Sequence, residues 1–128
     1  MTVRMLMTAD DLVAVGPETP LTEAAQLLIR HRITGLPVID ADGRIVGVIT
    51  EFDLIRTAAE PHVPWRTVRQ LMTPNPTTIH VDAPLSEVFD CLMTHTFRRV
   101  LIEDGGRLVG LISRSDLMPT ILDHLTEG

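Results

Sequence analysis

The sequence predicts an α+β fold made of two copies of one strand-helix-strand-strand-helix unit. Three observations carry that expectation: an internal repeat, an apolar helical stripe in each copy, and a turn flanked by β-branched runs in each copy. Val3-Arg4-Met5-Leu6-Met7-Thr8 returns as Val68-Arg69-Gln70-Leu71-Met72-Thr73, and Pro20-Leu21-Thr22-Glu23-Ala24 as Pro84-Leu85-Ser86-Glu87-Val88. Gly43-Arg44-Ile45-Val46-Gly47-Val48-Ile49-Thr50 returns as Gly106-Arg107-Leu108-Val109-Gly110-Leu111-Ile112-Ser113. The offset falls from 65 to 64 to 63 residues, and the losses lie where loops are expected, as a duplicated unit drifts.

Each element has its own signal. A short strand is expected near 12–15 and again near 77–80. Leu21, Ala24, Ala25 and Leu28, echoed by Leu85, Val88, Phe89 and Leu92, follow the i, i+3, i+4, i+7 spacing of a helix with one buried face. Pro20 and Pro84 stand where a first helical turn tolerates proline. Two β-branched runs, 36–39 and 44–49, flank Asp40-Ala41-Asp42-Gly43; glycine there supplies the positive φ of a tight hairpin. Glu103-Asp104-Gly105-Gly106 repeats the arrangement. A closing helix follows Thr50 and Ser113, with Phe52, Leu54 and Ile55, or Leu117, Met118, Ile121 and Leu122, as its apolar positions.

The repeats therefore run over 3–59 and 68–125. Between them, 60–67 contains Pro61 and Pro64, which interrupt any continuous helix and mark a linker; Trp65 is expected to pack on the edge of a unit, with a dimer contact as the alternative. A unit of this length is marginal alone, so the pair is expected to form one compact module.

Composition narrows the function. The formal net charge of −6 repels phosphate backbones and anionic membranes. Aromatic residues, three Phe and one Trp, make up only 3% of the chain, too little for base-stacking platforms. A nucleic-acid polymer and a membrane are thus excluded as expected partners. The single cysteine, Cys91, precludes an intrachain disulfide and leaves no zinc-type spacing, which suits a cytoplasmic location. Cys91 falls within an apolar helix and reads as a packed residue rather than a nucleophile. His31, His62, His80, His95 and His124 show no metal-ligand spacing, and His31 and His95 fall at helix C-termini, where the dipole favours a cationic imidazole. No Walker A loop or nucleophile elbow is present, so an enzyme is not expected. Methionines near the unit openings read as adaptable packing and the glycine pairs as hairpin residues.

The most informative segments are Thr50-Glu51-Phe52-Asp53 and Ser113-Arg114-Ser115-Asp116. Each sets a hydroxyl at a strand end and a carboxylate three residues later. One reading is a capping box, which explains the hydroxyl well but ordinarily uses the longer Glu or Gln. The other is a ligand site: the carboxylate accepts both hydrogens of a ribose cis-diol, and the hydroxyl and helix N-terminus favour phosphate. The spacing admits both.

The Val-Arg-x-Leu-Met-Thr openings, Thr34-Gly35-Leu36-Pro37-Val38-Ile39-Asp40, Gly43-Arg44-Ile45-Val46-Gly47 and the closing Thr50-x-x-Asp53, with their second-copy counterparts, resemble the CBS domain, named for cystathionine β-synthase. Two such domains in tandem resemble a Bateman module, and the similarity spans nearly the whole chain. The resemblance implies repeats packed sheet to sheet with pseudo-two-fold symmetry, assembly into a homodimer, and no cofactor requirement. It also implies a regulatory ligand, AMP, ADP, ATP or S-adenosylmethionine, bound in clefts between the sheets. Asp53 and Asp116 would then hold ribose, Thr50 and Ser113 would face phosphate or ribose oxygens, and Thr34, Gly35 and Pro37 would line an adenine pocket. A ligand-shifted population would signal to an effector protein encoded elsewhere. The competing expectation is a dimerisation or docking module without nucleotide.

The copies differ at one telling place. Where the first has Thr34-Gly35-Leu36-Pro37, the second has Arg98-Arg99-Val100-Leu101, losing the family proline and gaining two guanidiniums whose forks match phosphate. Arg98 or Arg99 could clamp an anion, or both could neutralise Glu103 and Asp104.

Overall fold

The computed structural model describes residues 2–94 and 99–127. In chain order the elements are α1 (Val3–Leu6), α2 (Leu21–His31), β1 (Gly35–Ile39), β2 (Ile45–Thr50), α3 (Glu51–Ala59), α4 (Val68–Leu71), β3 (Thr73–Pro74), β4 (Thr78–His80), α5 (Leu85–Thr94), β5 (Arg99–Asp104), β6 (Arg107–Ser113) and α6 (Arg114–Glu127). They form an α+β fold with two three-stranded sheets, β1-β2-β3 and β4-β5-β6.

The compact units do not follow the sequence repeats. One comprises Val13–Pro76, the other Met1–Leu12 together with Thr77–Gly128. Each repeat lends its opening segment to the other repeat's sheet. In the Val13–Pro76 unit, β3 pairs antiparallel with β2, Val48 opposite Thr73 and Gly47 opposite Pro74. In the other, Thr8 takes the equivalent place on β6, exchanging two backbone hydrogen bonds with Leu111 at 2.8 and 2.9 Å.

Mid-strand glycines make this docking possible. A Cβ on Gly47 would lie 2.7 Å from Met72 Sδ, and one on Gly110 would lie 2.5 Å from Met7 Sδ, closer than atoms can approach. Gly43, Gly105 and Gly106, at φ of +82°, +60° and +85°, do serve hairpins, as expected from the sequence. Gly47 and Gly110 do not: they leave room for a thioether. Met7 and Met72 pack as expected, whereas Met5 projects outward.

Each unit buries its own aliphatic core beneath one face of its sheet. Leu36, Val38 and Ile49 pack with Leu21, Ala24 and Leu28 of α2 and with the borrowed Val68 and Leu71. Val100, Ile102 and Ile112 pack with Leu85 and Val88 of α5, Leu117 of α6 and the borrowed Val3. The expected helical stripes are thus buried, and the linker 60–67 contains no helix. Trp65 packs at the edge of the first core, beneath the Arg56 guanidinium 5.1 Å from its ring centroid, a cation–π arrangement.

Two elements depart from expectation. The strand near 12–15 contracts to a single parallel bridge between Val15 and Val38. The N–H that would extend the ladder belongs to the residue two beyond Val15, and Pro17 has none to offer; the Gly16 N–H donates to Thr19 Oγ1 at 2.9 Å. In the second copy Val81 N–H continues onto Glu103 O, and β4 is a strand parallel to β5. The closing helices also bury less than their composition suggests. Leu54 and Leu117 reach the cores, but Phe52, Ile55, Met118 and Leu122 face outward, Phe52 with 80% of its surface exposed. A helix laid on one sheet face can bury only one stripe, and these residues occupy the other.

Candidate functional site

Both hydroxyl residues end a strand and cap the helix that follows without a break. Thr50, extended at φ −120° and ψ 169°, is the N-cap of α3. Its Oγ1 accepts the Asp53 N–H at 3.3 Å. Asp53 Oδ2 in turn accepts the Thr50 N–H at 2.8 Å and the Thr50 hydroxyl at 3.1 Å. The second junction repeats this: Ser113 Oγ accepts the Asp116 N–H at 3.3 Å, and Asp116 Oδ2 accepts the Ser113 N–H at 2.8 Å. Ser113 Oγ also lies 2.8 Å from Ser115 Oγ.

The capping box is therefore formed at both places, and aspartate reaches despite its shorter side chain, because an extended N-cap residue brings its N–H over the first turn. The box uses one oxygen of each carboxylate. Oδ1 of Asp53 and of Asp116 takes no part in it, and both residues are partly exposed. Capping holds the carboxylate in place without using up its acceptor capacity.

Strand register decides what stands beside each junction. Gly35 lies directly across from Thr50 and Pro37 across from Val48; Arg99 lies across from Ser113 and Leu101 across from Leu111. Cross-strand partners share a face. Leu36, Val38 and Ile49, and likewise Val100, Ile102 and Ile112, occupy the helix-covered face, so alternation puts Gly35, Pro37 and Thr50, and in the second copy Arg99, Leu101 and Ser113, on the opposite one. Pro37 is fully buried there. A Cβ at Gly35 would lie 3.3 Å from Ile49 O and 3.5 Å from Thr50 Cγ2, so the first junction has little room for a side chain where the second has arginine.

Thr34 stands apart from this group. Its carbonyl accepts the Glu51 N–H at 2.9 Å, and it lines a cavity of about 450 Å³ between α2 and α3 with Leu28, Ile29, Arg32, Glu51 and Leu54. None of Gly35, Pro37, Thr50 and Asp53 lines that cavity. Arg98 lies outside the described residues, as does His95.

Arg99 is partly buried, and desolvation lowers its pKa from the usual guanidinium value. The expectation that it neutralises Glu103 and Asp104 does not fit β5. Arg99 opens the strand opposite Ser113, whereas Asp104 closes it opposite Arg107, some ~16 Å away at the rise of a strand. Glu103 accepts the Gly106 N–H, and Asp104 faces His80. Copy-to-copy differences one and two residues beyond the hydroxyl, Glu51 against Arg114 and Phe52 against Ser115, also bear on the site. Aligning the repeats carries that signal, although the shared Asp draws the eye first.

The remaining candidates read as structure. Cys91 packs against the second core and burial pushes its thiol pKa up. His31 is the last residue of α2. His80 Nδ1 accepts the Asp82 N–H at 3.0 Å. Among the described residues no group of three or more His, Cys, Asp or Glu side chains could hold a metal ion, and no helix is long and apolar enough to cross a membrane.

A family model for the CBS domain matches twice, over residues 3–60 and 68–123. The chain is 31% identical to CBSX1, a chloroplastic CBS domain-containing protein of Arabidopsis thaliana, in a match that covers 99% of this chain and 66% of that protein's length. Among solved structures it resembles CBSX2 of Arabidopsis thaliana in complex with AMP, at a TM-score of 0.85 and 32% identity over 95% of this chain and 96% of that one. It also resembles the CBS domain pair of protein MJ0100 in complex with 5′-methylthioadenosine and S-adenosylmethionine. There the TM-score is 0.80 at 26% identity, over 97% and 98% of the two chains.

Proposed function

Because the chain belongs to the CBS domain family, as a tandem pair forming a Bateman module, we propose that it is a non-catalytic regulatory module that binds an adenosine derivative. The candidates are AMP, ADP, ATP and S-adenosylmethionine, held as a regulatory ligand rather than a cofactor. Asp53 and Asp116 hold the ribose hydroxyls through the carboxylate oxygen that the capping box leaves over. Thr50 and Ser113, at helix N-termini, meet phosphate or ribose oxygens, and Gly35 and Pro37 face the base. Thr34, on the cavity side, contributes through the backbone turn that it shares with Glu51. The observation that carries the reading is the pair of pinned carboxylates, in a chain whose solved relatives include complexes with AMP and with S-adenosylmethionine.

Signalling follows from unequal affinity: a ligand that binds one arrangement of the module better shifts its population and changes docking on an effector protein. A cytoplasmic location suits the single packed thiol. Thermal-shift and calorimetric titration with AMP, ATP, S-adenosylmethionine and adenosine tests the reading. A ligand at 100 times its Kd adds about 2.7 kcal/mol to stability, and a folded protein that shifts with none of them contradicts it.

Assembly into a homodimer belongs to the same proposal. Ile29, Phe52 and Ile55 project from α2 and α3, and Met93, Met118, Leu122 and Leu125 from α5 and α6, large apolar side chains of the kind that a partner surface covers. Sedimentation should give twice the chain mass. Phe52→Asp together with Leu122→Asp should give the monomer with unchanged secondary structure; a monomeric parent protein rules the dimer out. A nucleotide-free docking module is the second reading, favoured by the fact that both aspartates already have a capping role.

A further inference from the structure

The helices of the two units leave unlike faces uncovered. On α2 and α3, Ile29, Phe52 and Ile55 are exposed, and Ile29 also lines the cavity of about 450 Å³ whose other apolar walls are Ala25, Leu28, Ile33 and Leu54. Arg30 and His31 close α2, Arg32 caps it, and Arg32 stands in the cavity lining. On α6, Met118, Leu122 and Leu125 are exposed at i, i+4 and i+7, which makes one apolar ridge. Asp123 and Glu127 accompany the ridge. Among the described residues, α5 and α6 carry Glu87, Asp90, Asp116, Asp123 and Glu127 against the single cation Arg114. One face is thus an apolar hollow beside a basic helix end, and the other an apolar ridge on acidic helices.

We propose that two copies of the chain pair by unlike faces: the α6 ridge of one copy lies on the hollow between α2 and α3 of the other, with Asp123 and Glu127 against Arg30 and Arg32. A two-fold axis repeats the contact with the copies exchanged. The proposal rests on the homodimer reading above and adds which surfaces meet. A ridge set into a hollow gives each apolar side chain partner atoms on every side, whereas two ridges set together leave the hollow unfilled. Charge selects the same pairing. Two α5–α6 faces set together bring acid against acid, which disfavours that partner, while an acidic face against a basic helix end fixes the register. Arg30, Arg32, Asp123 and Glu127 stand in no ion pair among the described residues, so all four are open to a second copy. Glu51 also lines the hollow, and the two arginines outweigh it.

The test is sedimentation equilibrium of the full chain and of charge-reversed variants at one ionic strength. The parent should be a dimer. Arg30→Glu with Arg32→Glu should weaken it about tenfold or more, because attraction across the contact becomes repulsion. Asp123→Arg with Glu127→Arg should do the same. That second variant lowers the net charge of −6, so repulsion between whole chains would predict a tighter dimer instead. All four substitutions in one chain reverse both sides of the contact and should return the dimer to within about threefold of the parent. The four positions are exposed, and recovery in the fourfold variant separates a lost contact from a damaged fold. Pairing by like faces predicts a different pattern. There each reversed patch meets its own copy, like charge facing like charge before and after, so neither double variant weakens. Double variants that dimerise as the parent does, or a fourfold variant no tighter than they are, overturn the pairing of unlike faces and leave the homodimer standing. A monomeric parent overturns both.

Discussion

Val3→Asp unfolds the unit formed by Met1–Leu12 and Thr77–Gly128. Val3 has no exposed surface and sits among Val81, Val88, Val100, Ile102 and Ile112. The substitution forfeits about 1.5–3 kcal/mol of apolar burial and adds the cost of an unpaired buried carboxylate, several kcal/mol more. The total is a large part of the roughly 5–15 kcal/mol that a domain of this size commands. Urea denaturation reads the loss, and amide exchange should show protection falling first along β5 and β6. The loss should ease as pH falls. A buried carboxyl keeps its proton in the folded state, so its folded pKa is raised, and stability gained by protonation is lost as pH climbs through that value. Met5→Asp on the same short helix, at an exposed position, should change stability by less than about 0.5 kcal/mol. Equal effects from the two substitutions would mean that the opening segment is not seated in the other repeat's core.

Asp53→Asn and Asp116→Asn should abolish ligand binding at their junctions while leaving the fold nearly intact. Asparagine Oδ1 still accepts the Thr50 or Ser113 N–H, so the cap survives, and the lost charge at the helix N-terminus costs only about 0.3–1 kcal/mol. A ribose loses far more, because with Oδ1 engaged in the cap the amide turns an NH2 donor to the ligand where the carboxylate offers an acceptor oxygen, and hydrogen bonds to a charged group contribute about 1.5–3 kcal/mol each. Affinity should fall more than about a hundredfold at the affected junction. Calorimetry beside a thermal melt separates the two roles. If the Asn proteins bind as the parent does, the aspartates are caps alone and the nucleotide reading falls.

Legibility varied with the range of the interaction that forms each feature. Helices α2 and α5, the hairpins at Gly43 and Gly105-Gly106, and the Thr50 and Ser113 junctions were legible because each depends on residues within a few positions of one another. The strand near Val15 is a single bridge because Pro17 supplies no N–H where Val81 does in the second copy, a backbone effect that hydropathy does not register. Hydropathy marks the apolar residues of α3 and α6 without distinguishing which stripe faces the sheet. Phe52 and Leu54 are equally apolar, and only the docking of α3 separates the exposed one from the packed one.

From the sequence alone came the duplication, the α+β class and the paired hydroxyl-carboxylate junctions, since repetition and short-range spacing are written along the chain. Tertiary structure alone decided that Val3 and Val68 fill each other's repeats, that Gly47 and Gly110 make room for Met72 and Met7, and that Arg99 stands beside Ser113 rather than Asp104. Those facts depend on which strands pair and in what register, and register is set by burying one face of each sheet, a condition the whole folded chain satisfies and no short segment contains.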